Sequence, residues 1–484
     1  MRRCLITLCL LTAAVSAMHV DARADRTPLQ SQATPTKPEP KVQMKGPLSL
    51  QECMDIALQN NRHRPVSKLA IEIAEAQYQQ ALSSYWPQLS VKAAYSVMDE
   101  DPNFVFPATQ FKVSFLGTSI SVPVARQEIK LMDRENFIAS LNMTYPIYTG
   151  GLRGAIVKQA EQGLQAAKQE ARRADLQVVY DVRRMYYGAV LSRELLQIGK
   201  DALARMEVTL ELTENLYKRG SGKVKKTDYL RNKTVVEGLR SMVAVLDANE
   251  QSVKAALVNT MGLEWDASVE VAETSLPFVP HQANLKALVG NAYLFNPDWA
   301  KLQAGLKAAE AKIKEAKSGH YPKVGLFGNL THIQNSYDEG IVTPENKNSW
   351  MIGIGLEVPL FSGFRTMYEV KEALARLKKL EEQKILLREG IGLQVKHLFI
   401  QMISAREQKR ASEEAAKASE ENRDLHERAY QEELVETKDV IEAQLVESIM
   451  KATFQKALFD HIESQARLDF VIGREIEKLI HEGG

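Results

Sequence analysis

The side chains of this chain that could do chemistry are clustered charges, with no sign of a nucleophile or a metal centre. Residues 217–228 read Tyr-Lys-Arg-Gly-Ser-Gly-Lys-Val-Lys-Lys-Thr-Asp and are basic, whereas residues 430–439 read Tyr-Gln-Glu-Glu-Leu-Val-Glu-Thr-Lys-Asp and are acidic. Segments of opposite sign can pair, although an exposed ion pair contributes only about 0–1 kcal/mol. Asp439 and Glu442 stand three residues apart, a spacing that puts both carboxylates on one face of a helix. His63, His320, His332 and His397 are scattered, and no metal-spaced His or Cys cluster accompanies them. Ser221-Gly222-Lys223 lacks the upstream glycine and the preceding strand of a phosphate loop. This set points away from an enzyme, and no cofactor is expected.

The elements that must position these charges are duplicated. Tyr145-Pro146-Ile147-Tyr148-Thr149-Gly150 and Val358-Pro359-Leu360-Phe361-Ser362-Gly363 say nearly the same thing. Each closes an alternating run and opens a long segment of helical character. The correspondence continues, with Ser192-Arg193-Glu194 matching Ala405-Arg406-Glu407 and Tyr217 matching Tyr430. Duplication on this scale sets the architecture before any single residue does.

Each half carries two strand-like runs, at 88–98 and 135–148, then at 323–333 and 349–361. In the first, Leu89, Val91, Ala93, Tyr95 and Val97 alternate with Ser90, Lys92, Ala94 and Ser96. In the last, Trp350, Ile352, Ile354, Leu356 and Val358 alternate with Gly353, Gly355 and Glu357. Alternation over about ten residues with aromatic ends is the pattern of a transmembrane β-strand. Four strands cannot close a barrel and open edges are not tolerated in lipid, so several chains must share one barrel. The intervening segments 99–134 and 334–348 then read as external loops, the first with an alternating run of its own at 111–122, the pattern of an extra hairpin.

Between and after the strands lie very long helices, predicted at 152–218 and 365–432. Val178, Val182, Met185, Ala189 and Ser192 recur in steps of three and four, as do Leu387, Ile391, Val395, Leu398 and Met402. Such steps mark a coiled-coil seam, and a helix over 152–218 would be about 100 Å long at 1.5 Å per residue. Flanking helices are predicted at 48–86, 225–262, 284–320 and 438–480. Trp86-Pro87 and Tyr321-Pro322 each end a helix, as the residue before proline is driven out of helical conformation.

The ends and the composition narrow the setting. Arg2 and Arg3 precede an apolar stretch ending in small residues, so 1–17 is expected to be a secretory signal peptide, with Ala24 as the alternative cleavage point. Cys4 and Cys9 would leave with it, and Cys53 alone cannot form an intramolecular disulfide. Residues 18–47 carry Pro28, Pro35, Pro38, Pro40 and Pro47 and read as a disordered leader. The 62 basic and 61 acidic residues balance, so no overall field favours nucleic acid.

This order of elements resembles the TolC-like outer membrane efflux proteins. The residues that carry the likeness are 48–61 (Leu-Ser-Leu-Gln-Glu-Cys-Met-Asp-Ile-Ala-Leu-Gln-Asn-Asn), the two Pro-x-aromatic-x-Gly turns, 430–443, Met261-Gly262-Leu263 and Ile472-Gly473. The likeness covers 48–480, as a first repeat at 48–263, a linker at 264–283 and a second repeat at 284–480. It implies a mainly α fold with β: a homotrimeric 12-stranded transmembrane β-barrel continued by a long periplasmic α-helical barrel. It further implies an outer-membrane exit duct for an efflux pump or type I secretion, reaching into the periplasm. A periplasmic adaptor and an inner-membrane pump or ABC exporter would be its partners. The competing reading is a periplasmic coiled-coil scaffold without a pore.

The resemblance also assigns roles to the charged turns. They would lie at the periplasmic tip, where the family closes its pore with an Asp on the first hairpin bonded to a Tyr and an Arg on the second. The Asp falls on Asp228 and the Tyr on Tyr430, but Val435 stands where the Arg would be. Lys225 or Lys226 with Glu432, Glu433 or Glu436 is the expected replacement. Asp439 and Glu442 fall where the family places the acidic ring of its constriction.

Overall fold

The computed structural model describes residues 46–115, 117–280, 284–337 and 339–474. The chain divides at Gly46, and every element below belongs to the unit beginning at Pro47. The predicted signal peptide and nearly all of the predicted leader therefore lie outside the described residues, as do 281–283 of the linker and 475–480 of the last predicted helix.

The described elements run α1 (Leu50–Asn60), α2 (His63–Leu82), β1 (Gln88–Val97), β2 (Asn103–Phe106), β3 (Thr109–Phe115), β4 (Thr118–Val124), β5 (Gln127–Lys130) and β6 (Glu135–Tyr148). They continue as α3 (Leu152–Lys218), α4 (Lys226–Thr260), α5 (Leu285–Phe295), α6 (Pro297–Ser318), β7 (Lys323–Asn335), β8 (Asn348–Glu357), α7 (Arg365–Gln431) and α8 (Thr437–Ile472). The two long helices have 67 residues each.

β1, β6, β7 and β8 form one antiparallel sheet in that order, so the two halves meet where β6 pairs with β7. Register gives the sheet two unlike faces. Val91, Leu141, Leu330 and Trp350 stand in one cross-strand row of the apolar face, followed on one side by a row through Leu89, Met143 and Ile352 and then one through Tyr145, Leu326 and Ile354. The other face carries Ser140 opposite Thr331 and Asn142 opposite Asn329, the last pair hydrogen-bonded at 2.7 Å. On that face the Phe327 ring lies over Gly353, where an added Cβ would sit 2.6 Å from it. Glycine is needed there for the ring's close approach. The apolar face is bare in the chain: Val91 is 67% exposed and Trp350 74%. The predicted extra hairpin is present as β3 paired with β4, carried on a shorter ladder of β2 with β5.

Two predicted helices are each broken in two. The segment 284–320 divides at Asn296, extended at φ −64°, ψ 123°, because Pro297 excludes helical backbone from the residue before it. The Asn296 carboxamide oxygen then accepts from the Trp299 N–H and caps α6, while its Nδ2 donates to the Val471 carbonyl. The segment 48–86 divides at Asn61, because Pro65, four residues on, has no N–H for the Asn61 carbonyl and its ring would clash with that carbonyl in a continuous helix. Asn61 is extended, its Oδ1 accepts from the His63 N–H, and its Nδ2 donates to the Thr260 carbonyl. β8 also stops earlier than predicted, at Glu357, since Pro359 has no N–H to give to a ladder.

α3 packs along α4, α6, α8 and α2, and α7 packs along α8 and α6. Leu288, Ala292, Ile391, Val395, Leu398, Leu468 and Ile472 form one apolar cluster, and Met206, Val236 and Ile441 a second, far along α3. Cys53 is fully buried, and burial pushes its thiol up to about 12, so it stays protonated and unreactive. No helix among the described residues is long and apolar enough to cross a membrane.

Candidate functional site at the helical tip

α3 begins at the sheet and ends about 100 Å away at 1.5 Å per residue, which places both charged turns at the far tip. The first turn joins α3 to α4 and the second joins α7 to α8. Tyr217 and Tyr229 stack across the first turn with ring centroids 6.4 Å apart. In the second, Glu433 takes a left-handed φ of 53°, a conformation that costs a non-glycine residue about 1–2 kcal/mol.

The two turns touch through Glu433. Its carboxylate accepts from the Ser221 hydroxyl at 3.1 Å, and its carbonyl accepts from Lys223 Nζ at 2.8 Å. Lys225 and Lys226 are exposed, and within one chain neither makes an ion pair with Glu432, Glu433 or Glu436 among the described residues. Lys223 is the basic residue that crosses to the acidic turn.

Asp228 and Tyr430 do not meet within the chain. Asp228 accepts from the Lys225 backbone N–H at 2.9 Å, closing the first turn of α4, and lies 3.8 Å from Arg231. Asp439 does the same for α8, accepting from the Glu436 N–H at 3.2 Å. The two aspartates, assigned different roles from the sequence, thus occupy equivalent capping positions in the two halves. An acidic group there also meets the positive end of the helix dipole. Glu442, one turn on, is exposed.

Tyr430 is buried at 3% exposure, and its hydroxyl lies 2.7 Å from Thr213 Oγ1 and 3.0 Å from Thr437 Oγ1. It heads a buried polar seam running back from the tip. Asn232 Nδ2 donates to Thr213, and Gln444 Nε2 donates to Thr209 and to Glu427. The seam ends at Glu447, with no exposed side-chain surface, held by Lys451 at 2.8 Å, Arg423 at 3.2 Å and Arg205 at 3.2 Å. Burial pulls the Lys451 ammonium down, but its hydrogen bonds to Glu447 and Glu420 outweigh that and leave it above its ordinary value. Glu420, hydrogen-bonded to Lys451 at 3.0 Å, is held below the usual carboxylate range. This cluster ties α3, α7 and α8 together.

Sequence reading missed the seam. The available signal was a set of polar residues, Thr437, Gln444, Glu447 and Lys451, on the helix face of Val440 where the pattern calls for apolar ones. Among the described residues no group of acidic, His and Cys side chains is arranged to hold a metal ion.

Known proteins share this architecture. The chain is 24% identical over 248 residues to the pyoverdine export outer membrane protein OpmQ of Pseudomonas aeruginosa, covering 51% of each chain. It is 23% identical over 313 residues to the cation efflux system protein CusC of Escherichia coli O157:H7, covering 64% of this chain and 60% of the relative. The chain thus spans less than two thirds of the length of either relative. The crystal structure of the CmeC outer membrane channel of Campylobacter jejuni superposes with a TM-score of 0.72 at 15% identity, over 90% of this chain and 88% of that one. The model of the outer membrane efflux protein family matches residues 53–263 and 288–474, most of the chain and both of its halves. By that match, the chain belongs to the outer membrane efflux protein family.

Proposed function

We propose that three copies of this chain form the outer-membrane exit duct of a tripartite efflux or type I secretion assembly. The observation that carries this reading is the sheet. β1 and β8 leave open edges, and the apolar face is bare on both of these strands. An open apolar edge is a template for pairing, and closure into a barrel removes it. Three four-stranded sheets make twelve strands. The ten residues of β1, tilted by about 40°, span about 25 Å, the height of the apolar band of a membrane barrel.

In this reading the polar face, with Asn142 and Asn329, lines a water-filled lumen. The long helices carry that lumen across the periplasm as a helical barrel. The two halves, 48–263 and 284–480, supply equivalent parts of its wall, with 264–283 linking them. The duct is a passive conduit and not an enzyme; an inner-membrane pump or ABC exporter supplies the energy and a periplasmic adaptor holds the tip. A scaffold without a pore would gain nothing from a membrane-height sheet with one apolar and one polar face.

The tip is the gate. Lys225 and Lys226, unpaired with the acidic turn in their own chain, face Glu432, Glu433 and Glu436 of a neighbouring copy, while Tyr430 locks the turn from within. Asp439 and Glu442, repeated in three copies, form the ring that favours cations. Two measurements test this reading. The detergent-solubilised protein should have the mass of a trimer and form channels in planar bilayers; a monomer without conductance sinks it. Reversing Lys225 and Lys226 to Glu should raise closed-state conductance, and Asp439→Ala with Glu442→Ala should lower cation selectivity; if neither changes, the gate and ring assignments fall.

A further inference from the structure

The segment 99–134 rises above the sheet as an amphipathic ribbon. Phe111 pairs with Val122 and Val113 with Ile120, so the four side chains share one face of β3–β4. They are 61%, 45%, 56% and 62% exposed in that order. The reverse face is polar and satisfied: Ser121 donates to Gln110 at 3.0 Å, and the Ser114 and Ser119 hydroxyls lie 2.8 Å apart. A two-stranded ribbon is marginal in water by itself and needs cover on its apolar face.

The base of the ribbon is fixed. Lys130 bridges Asp101 at 2.7 Å and Asp133 at 3.6 Å, and Asp101 also accepts from the Arg134 N–H. The second loop is stitched to it, with Ile341 N–H donating to the Leu131 carbonyl and Asn335 Nδ2 to the carbonyls of Asp133 and Glu135. The ribbon therefore has a set direction.

We infer that the apolar face of β3–β4 docks on the same ribbon of the other copies and narrows the outer opening of the duct. This rests on the trimeric reading above. Two observations choose a second copy over lipid. Asp99, Glu100, Asp101, Asp133, Arg134 and Glu135 make a charged belt between the apolar band of the sheet and the ribbon, so the ribbon stands outside the hydrocarbon layer. The ribbon also continues β1, the strand at the open edge where the next copy must join. Lys112 is the one charge on β3 and β4, which leaves nothing to recognise a charged partner.

Single-cysteine variants of the full chain in native outer membranes test this, since Cys53 is buried and will not interfere. Under mild oxidation, Val113→Cys and Ile120→Cys should give at least about tenfold more cross-linked dimer than Lys112→Cys and Ser121→Cys, because docking raises the effective concentration of one face only. Equal or absent cross-linking in a protein of trimer mass overturns this inference and leaves the trimeric reading intact. A monomer mass overturns both. A polarity-sensitive dye on Val113→Cys that reports lipid contact, without cross-linking, assigns the face to the membrane and also overturns the inference.

Discussion

Glu447→Gln keeps the shape of a fully buried side chain and removes its charge, so the change isolates electrostatics from cavity formation. Three cations then lose their shared partner. Lys451 keeps Glu420 at 3.0 Å, and Arg423 keeps Asp424 at 3.0 Å and Glu427 at 3.6 Å. Arg205 keeps no other ion pair among the described residues, and its side chain is 27% exposed. Removing one partner of a buried pair costs about 3–5 kcal/mol. With two of the three cations still paired and the third reaching some solvent, the loss should fall at or below the lower end, about 2–3 kcal/mol per chain. Hydrogen exchange reads this locally. Amides of α8 near Glu447 should exchange about 30- to 150-fold faster, while those at 468–472, in the other apolar cluster, change little. Adding Arg205→Met should recover part of the loss, because the stranded cation is then gone. Exchange near Glu447 within about twofold of the parent, or an equal rise along all of α8, would refute the reasoning.

Other consequences can be checked on the same protein. Gly262 and Gly473 have φ of 72° and 84°, and a Cβ on them would meet the Asn60 and Phe295 carbonyl oxygens at 2.5 and 2.4 Å. Alanine at either should cost more than about 3 kcal/mol and lower the thermal midpoint of the helical signal, whereas Gly163→Ala, with open space around it, should be neutral or stabilise by up to about 1 kcal/mol. Asn296→Ala removes a helix cap and a cross-link to α8 together, a loss of about 2–3 kcal/mol in the same melt. The Glu420–Lys451 bridge sets a pH window. Glu420 is lowered from 4.5, so its contribution is present above that value and lost as pH falls through its folded value; Lys451 is raised from 10.5, so its contribution is present below that value and lost above its folded one. Glu420→Gln should flatten the acid limb of the tip's exchange profile, and an unchanged limb would place the acid sensitivity elsewhere.

The sequence by itself determined the elements that repeat a simple pattern. Alternation over ten residues placed β1 and β6, and steps of three and four marked α3 as one long helix, because these patterns are local and each residue votes for the same face. Duplication placed the turns at 150 and 363. Tertiary structure decided what no local pattern encodes. Pro65 already ends a helix at Asn61, but the partner of the Asn61 side chain, the Thr260 carbonyl 199 residues away, came only with packing. The capping by Asp228 and Asp439 is by contrast local, each carboxylate accepting from a backbone N–H three residues back. In the sequence Glu447 shows only as a polar residue where the helical pattern calls for an apolar one, with no sign of its partners. Only the packing of α3, α7 and α8 brings Arg205, Arg423 and Lys451 around it, since a charge can be buried only where distant helices deliver its partners.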